Sequence, residues 1–300
     1  MKLCLGTVQF GMDYGIRGQK KPALADSIAM LDYAVQNGID AVDTAAAYGT
    51  AEEIVGEFLA KQTVPRDSLF ISSKLRPNDL DDVPDGELKT VISRHLDGSL
   101  CRLQTDYLDS YLLHSSRYAF NEAILEALYE VKREGKVRHC GVSVYYPGEA
   151  RQCLNSGMVD FIQLPFSIFD QRMLNEGVFE LATQLNNTTQ IHSRSAFIQG
   201  LILMREDEVP PFLSDAKPML AKIDTLCREF HISRIALALL FVKHTDAISH
   251  LVFGVDNMEQ LKENIRIFES DCPREIISGI AKEFSNIDAN IMMPSLWVKK

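Results

Sequence analysis

Short, nearly continuous apolar runs alternate along the chain with longer stretches in which apolar residues recur every three or four positions. The runs are Leu3–Gly6, Ala41–Asp43, Leu69–Ser73, Leu108–His114, His139–Ser143, Phe161–Pro165, Gln190–Ser195 and Leu251–Gly254. Most are short and carry little polar interruption, which suits strands buried on both faces. Between them, Ile28, Leu31, Ala34 and Val35 mark one helical stripe, and Ile54, Val55, Phe58 and Leu59 a second. Leu88, Val91, Ile92, Leu96 and Leu100 mark a third, and Ile124, Leu125, Leu128 and Val131 a fourth. Further helices are predicted over Val178–Leu185, Met219–Phe230, Ile235–Val242 and Met258–Phe268. Asp26–Ser27 reads as a helix N-cap, Gly38 and Gly135 as helix stops, and Pro147–Gly148 as a helix opening.

Eight strand–helix alternations predict a parallel sheet with crossover helices. An open doubly wound sheet should show GxGxxG or GxxxxGK[ST] after an early strand, and neither string occurs. The expected fold is α/β, a single closed (β/α)8 TIM barrel. At roughly 150 residues per domain the length would allow two domains, but no linker, composition shift or repeat divides the chain. One barrel domain over 1–300 is therefore expected. Its tail, 265–300, with a helix over Arg274–Asn286, should pack outside the barrel or over one of its mouths.

Composition narrows the function. Hydrophobic residues make up 46% and charged residues 24%, the mixture of a globular chain with a large core. Lys and Arg total 31 against 41 Asp and Glu, so the net charge of −10 disfavours nucleic acid or an acidic membrane as partner. No apolar stretch approaches the ~18 residues of a membrane span, and the opening MKLCLGTVQFG carries no secretory pattern. The cysteines Cys4, Cys101, Cys140, Cys153, Cys227 and Cys272 are dispersed without a CxxC pair, as in a reducing cytoplasm. Without HExxH, and with the histidines far apart, no metal site is expected.

In such barrels function sits at the C-terminal ends of the strands. The second run ends in Asp43 with Tyr48 shortly after, the third in Ser73–Lys74, the fourth in His114 and the fifth in Ser143. Gln163 lies in the sixth and Arg194–Ser195 closes the seventh. Taken singly, such an Asp usually caps a turn, a Tyr packs, a Lys is solvated and a His bonds a carbonyl. Their coincidence on one rim is what a catalytic site needs. A phenol is a poor acid at neutral pH, a neighbouring ammonium stabilises its phenolate, and a carboxylate keeps that ammonium charged and positioned. An imidazole can orient a carbonyl oxygen. Asp43, Tyr48, Lys74 and His114 therefore read as a device that protonates a carbonyl becoming an alkoxide, and a nicotinamide must supply the hydride.

At these residues the sequence resembles the aldo-keto reductase family. GIDAVDTAAAYGTAEEIVGEFL is similar to the family's segment with the catalytic Asp and Tyr, LFISSKL to the strand with the catalytic Lys, and DYLDSYLLH to the strand before the catalytic His. The likeness continues through GVSV, FIQLPFSIFD, SRSAFIQGLI and GVDNMEQLKENI, nearly the whole chain. It implies an NADP(H)-dependent oxidoreductase with Tyr48 as general acid. It further implies that Ser143 and Gln163 hold the nicotinamide carboxamide. Ser195, Phe197, Gly200 and Leu201 would wrap the pyrophosphate, and Gly254, Gln260, Glu263 and Asn264 would hold the adenosine end.

Three departures bear on the cofactor. Val144 stands where the family commonly has Asn, and Arg194 where an aromatic ring commonly lies under the nicotinamide. A planar guanidinium can also stack on a ring. Gly254 and Gln260, with Asp256 between them, replace the basic residues that many relatives use for a 2′-phosphate. Relaxed cofactor choice with NAD(H) accepted is therefore expected beside NADP(H). The partner is a small-molecule carbonyl compound, and Tyr14, Tyr145 and Tyr146 are candidate pocket residues. The opening LGTVQFGMDYGI also resembles a bacterial subgroup associated with sugar metabolism, which points to a sugar-like aldehyde or ketone. The rival reading is a cofactor-binding regulatory subunit with little turnover. A metal-dependent hydrolase would need more His or Asp at strand ends than are present.

Overall fold

The computed structural model describes residues 1–61, 63–185 and 189–297. Among them eight parallel strands close into a barrel in chain order, each hydrogen-bonded to the next and β8 to β1. They are β1 Lys2–Gly6, β2 Ala41–Asp43, β3 Phe70–Leu75, β4 Leu108–Leu113, β5 Val137–Ser143, β6 Phe161–Pro165, β7 Gln190–Arg194 and β8 His250–Phe253. Helices return the chain between strands, and β2, β4 and β6 are buried along their whole length. That two-sided burial is why the runs lack polar alternation. The strand predictions match to within about two residues. The third run extends further than predicted, so Lys74 lies inside β3 rather than after it.

Helix starts were less legible. The first crossover helix is Leu24–Gln36, so Asp26–Ser27 is not its cap but part of its first turn. Residues 23–26 are exposed, so water satisfies the leading amides. Ser27 turns inward and is buried. Gly38 does follow a helix end at φ +84°, and Pro147 opens the helix Pro147–Ser156.

Strand order fixes what lies at each mouth. At the N-terminal mouth Phe70, Phe161, His192 and His250 stack, with His192–Phe161 centroids at 4.4 Å and His192–His250 at 4.3 Å. Phe70 also faces His139. This aromatic floor closes the barrel from below. The opposite mouth carries the βα loops. In the tail, the helix Arg274–Lys282 stops short of the predicted Asn286. The Ala281 carbonyl there accepts from Gln171, and the chain then turns to bury Phe284 against Phe169. Pro294 and Ser295 reach the rim of the C-terminal mouth. Residues 298–300 of the predicted tail lie outside the described residues.

Candidate active site

β2 ends in Asp43, and β3 presents Lys74 from the neighbouring strand. Both side chains are buried, Lys74 completely. The Lys74 ammonium donates to both Asp43 carboxylate oxygens at 2.8 and 2.7 Å and to the Thr44 carbonyl at 2.9 Å. It also reaches the Tyr48 hydroxyl at 3.5 Å. Asp43 additionally accepts from the Gln163 amide at 2.7 Å. A buried lysine therefore meets a carboxylate, a carbonyl and a phenol together, which satisfies its three donors.

Tyr48 sits on the loop after β2, which crosses the loop after β1. The crossing is close: a Cβ on Gly11 would come within 1.7 Å of the Tyr48 carbonyl oxygen, and one on Gly49 within 2.3 Å of the Gly11 carbonyl oxygen. Gly49 also has φ +58°, which glycine adopts without strain. Thr7 ties the same loops together, donating from its amide and hydroxyl to the Asp43 carbonyl.

His114 follows β4 and packs edge-on against Tyr48, centroids 5.6 Å apart. Burial first, then the Lys74 and Arg194 charges, push its pKa down to about 3, so the ring is neutral. Its Nδ1 is buried with no protein partner among the described residues. Burial, and then the Asp43 carboxylate, hold the Tyr48 phenol above its ordinary value. Tyr48 is therefore a protonated donor, with the Lys74 ammonium 3.5 Å from its oxygen.

These groups open onto a cavity of about 690 Å³ at the C-terminal mouth, within the usual range for small-ligand sites. Asp43, Tyr48, His114 and Gln163 line it at one end. Arg194, Ser195, Phe197 and Gly200 line its flank, and Gly254, Gln260, Glu263 and Asn264 line the far part. Lys74, Ser143 and Leu201 do not face it; they are buried behind the wall. After Arg194 the backbone is left-handed at Ser195 (φ +69°), Ile198 (+48°) and Gln199 (+53°). Such strain at non-glycine residues collects where a chain is shaped for a ligand. Tyr14 and Tyr145 line the cavity, whereas Tyr146 is exposed and does not. Burial raises the Tyr14 phenol to about 12.

The sequence reading missed Thr7, Gln9, Arg17 and Gln199, which also line the cavity. Thr7 and Gln9 directly follow β1, a run that closes on Gly6 with no charged residue to draw attention. Gln9 lies over Gly254, where a Cβ would come within 2.4 Å of its amide. At the far part of the cavity Gln260 bonds both the amide and the carboxylate of Asp256. Among the described residues no cluster of His, Cys, Asp and Glu could hold a metal, and no helix is long and apolar enough to cross a membrane.

A family model described as the aldo/keto reductase family matches residues 2–282. An uncharacterized oxidoreductase of Bacillus subtilis, YqkF, is 26% identical over 257 residues, 80% of this chain and 81% of that protein. An NADH-specific methylglyoxal reductase of Escherichia coli is 31% identical over 260 residues, covering 76% and 78%. Among solved structures, the holo form of an aldo-keto reductase from Bacillus halodurans superposes with a TM-score of 0.76 at 22% identity. It covers 97% of this chain and 95% of its own.

Proposed function

The chain belongs to the aldo/keto reductase family, and from that premise we propose that it reduces a small aldehyde or ketone to an alcohol. A nicotinamide cofactor would donate the hydride and Tyr48 the proton. The observation that carries this reading is the buried Lys74 ammonium shared between Asp43 and the Tyr48 hydroxyl at one end of the cavity.

The residues present fit a dinucleotide. The cavity runs from Tyr48 to Asn264, and orphaned polar atoms stand at His114 Nδ1 and Gln9 Oε1. Gln163 and Arg194 would hold the nicotinamide end with Ser143 behind them. Ser195, Phe197, Gly200 and Leu201 would form the pyrophosphate segment, and Gly254, Gln260, Glu263 and Asn264 the adenosine end. When bound, the reduced cofactor supplies the hydride that no side chain can. The chain's own groups do the rest. Neutral His114 and the Tyr48 hydroxyl orient the carbonyl oxygen; as negative charge grows there, Tyr48 gives up its proton. Lys74 stabilises the phenolate left behind, and Asp43 holds Lys74 in position. Hydride to carbon and proton to oxygen complete the alcohol, and Tyr48 is reprotonated from solvent.

Cofactor choice follows from charge. The cavity-lining cations are Arg17 and Arg194, and Arg17 is ion-paired with Glu208. Around Gly254 and Gln260 the lining charges are instead the carboxylates of Asp256 and Glu263. A 2′-phosphate gains no charge-assisted partner there, so NADH serves at least as well as NADPH. The relative named as NADH-specific agrees with this choice. We read residues 1–300 as one barrel domain of a cytoplasmic enzyme. The six cysteines are free thiols, as that compartment requires.

The test is loss of reduced-nicotinamide absorbance with NADH and NADPH separately, across a panel of small and sugar-like aldehydes and ketones. Turnover with comparable kcat/KM for the two cofactors is expected. A hundredfold preference for NADPH would contradict the cofactor reading. Tight cofactor binding without turnover on any carbonyl compound would favour a regulatory subunit.

A further inference from the structure

Arg194, the last residue of β7, has a fixed and unusual setting. Its guanidinium lies 4.3 Å from the centroid of the Tyr145 ring. It donates to the Val144 carbonyl at 3.1 Å and to the Ser195 hydroxyl at 3.3 Å. Tyr145 is itself anchored, its amide and that of Tyr146 donating to buried Glu149 at 2.7 and 2.9 Å. The arginine is thus held by a ring, a carbonyl and a hydroxyl. Among the described residues no carboxylate forms an ion pair with it.

The charges around it do not cancel. At this end of the cavity Asp43 is matched by Lys74. Tyr48 and Tyr14 stay protonated and His114 stays neutral. Arg194 is therefore the charge lining this end of the cavity that has no opposite partner among the described residues, and it is felt at Tyr48, Tyr14 and His114. Tyr48 must reach the carbonyl oxygen while hydride reaches the adjoining carbon. The nicotinamide ring consequently lies beside the Tyr48 hydroxyl in any productive arrangement, in a cavity that Arg194 also lines and where its charge acts on Tyr48.

We propose that Arg194 makes this site discriminate between the redox states of its cofactor, favouring the reduced form. The inference rests on the carbonyl-reductase reading above. A neutral dihydronicotinamide gains from a neighbouring guanidinium as other electron-rich rings do. The oxidised ring carries a positive charge and is repelled. At an effective dielectric constant near 20, two unit charges within about 10 Å of each other interact strongly enough for tenfold or greater discrimination. The cofactor's phosphates are the same in both states, so losing a contact with them would weaken both forms equally and leave the ratio alone.

The experiment is a fluorescence titration of the intact protein, without substrate, by NADH and NAD⁺ and by NADPH and NADP⁺. It is run on the unaltered protein, Arg194→Met and Arg194→Lys. The unaltered protein should bind the reduced form at least about tenfold more tightly. Arg194→Met should lower that ratio about tenfold, and Arg194→Lys should retain most of it. Equal affinity for the two forms in the unaltered protein overturns the proposal without recourse to any variant. A ratio unchanged in Arg194→Met also overturns it, and equal weakening of both forms would assign Arg194 to the phosphates. Binding of neither form would bring down the reductase reading itself.

Discussion

Lys74 is the residue on which the site turns. A wholly buried lysine is rare unless paired, and here its partners are Asp43, the Thr44 carbonyl and the Tyr48 hydroxyl. Lys74→Met should lower kcat at least a hundredfold and destabilise the fold by about 3 kcal/mol, because Asp43 keeps its charge in the interior without its cation. Lys74→Met combined with Asp43→Asn should recover much of that stability but none of the activity. Urea unfolding and steady-state rates on the same preparations separate the two effects. Asp43, Tyr48, Lys74 and His114 were legible in the sequence because each puts chemistry where a buried strand ends. The mount of Arg194 was not legible, since a backbone carbonyl and the face of one tyrosine leave no compositional mark.

At the scale of elements, the aromatic floor gives the fold a pH dependence. His192 is wholly buried, and among the described residues neither ring nitrogen has a hydrogen-bond partner. Burial, then the neighbouring His250, Lys74 and His139, hold its pKa well below the ordinary value. His250 is pushed down to about 4 by burial first, with Lys2 and the N-terminus adding and Asp40 opposing. Asp160, just before β6, faces His139 at 4.0 Å. Both lowered histidines are neutral when folded and take protons more readily when unfolded. The unfolded state therefore binds more protons below about pH 6.5, and stability falls as pH drops from there towards 4. The stability these neutral rings allow is fully present above that window and is lost as pH falls through it. Thermal melts between pH 7.5 and 4.5 should show this loss, and His192→Phe should flatten it; an equally steep loss in that variant would contradict the assignment. The strands were legible because period and length agree. The first helix cap was not, because an exposed helix start needs no side-chain partner.

For the whole molecule, a closed barrel explains why residues far apart in sequence share one cavity. Neighbouring strands in register set Asp43 beside Ser72 and Ser143 beside Gln163. The alternation of runs and stripes gave the barrel, and the resemblance placed most of the cavity wall. What neither supplied was which of these charges are cancelled: Lys74 pairs with Asp43 and Arg17 with Glu208, while Arg194 lines the cavity with no carboxylate partner among the described residues. That arrangement exists only once eight loops are brought to one mouth.

The central claim is that Tyr48 protonates a carbonyl oxygen as hydride arrives. It is tested most directly by comparing the unaltered protein with Tyr48→Phe, using one reducible aldehyde and measured cofactor affinity. The account predicts a fall in kcat of about a thousandfold or more, at the upper range of general-acid catalysis, with cofactor binding changed less than severalfold. Turnover within a few-fold of the unaltered protein in Tyr48→Phe would contradict it.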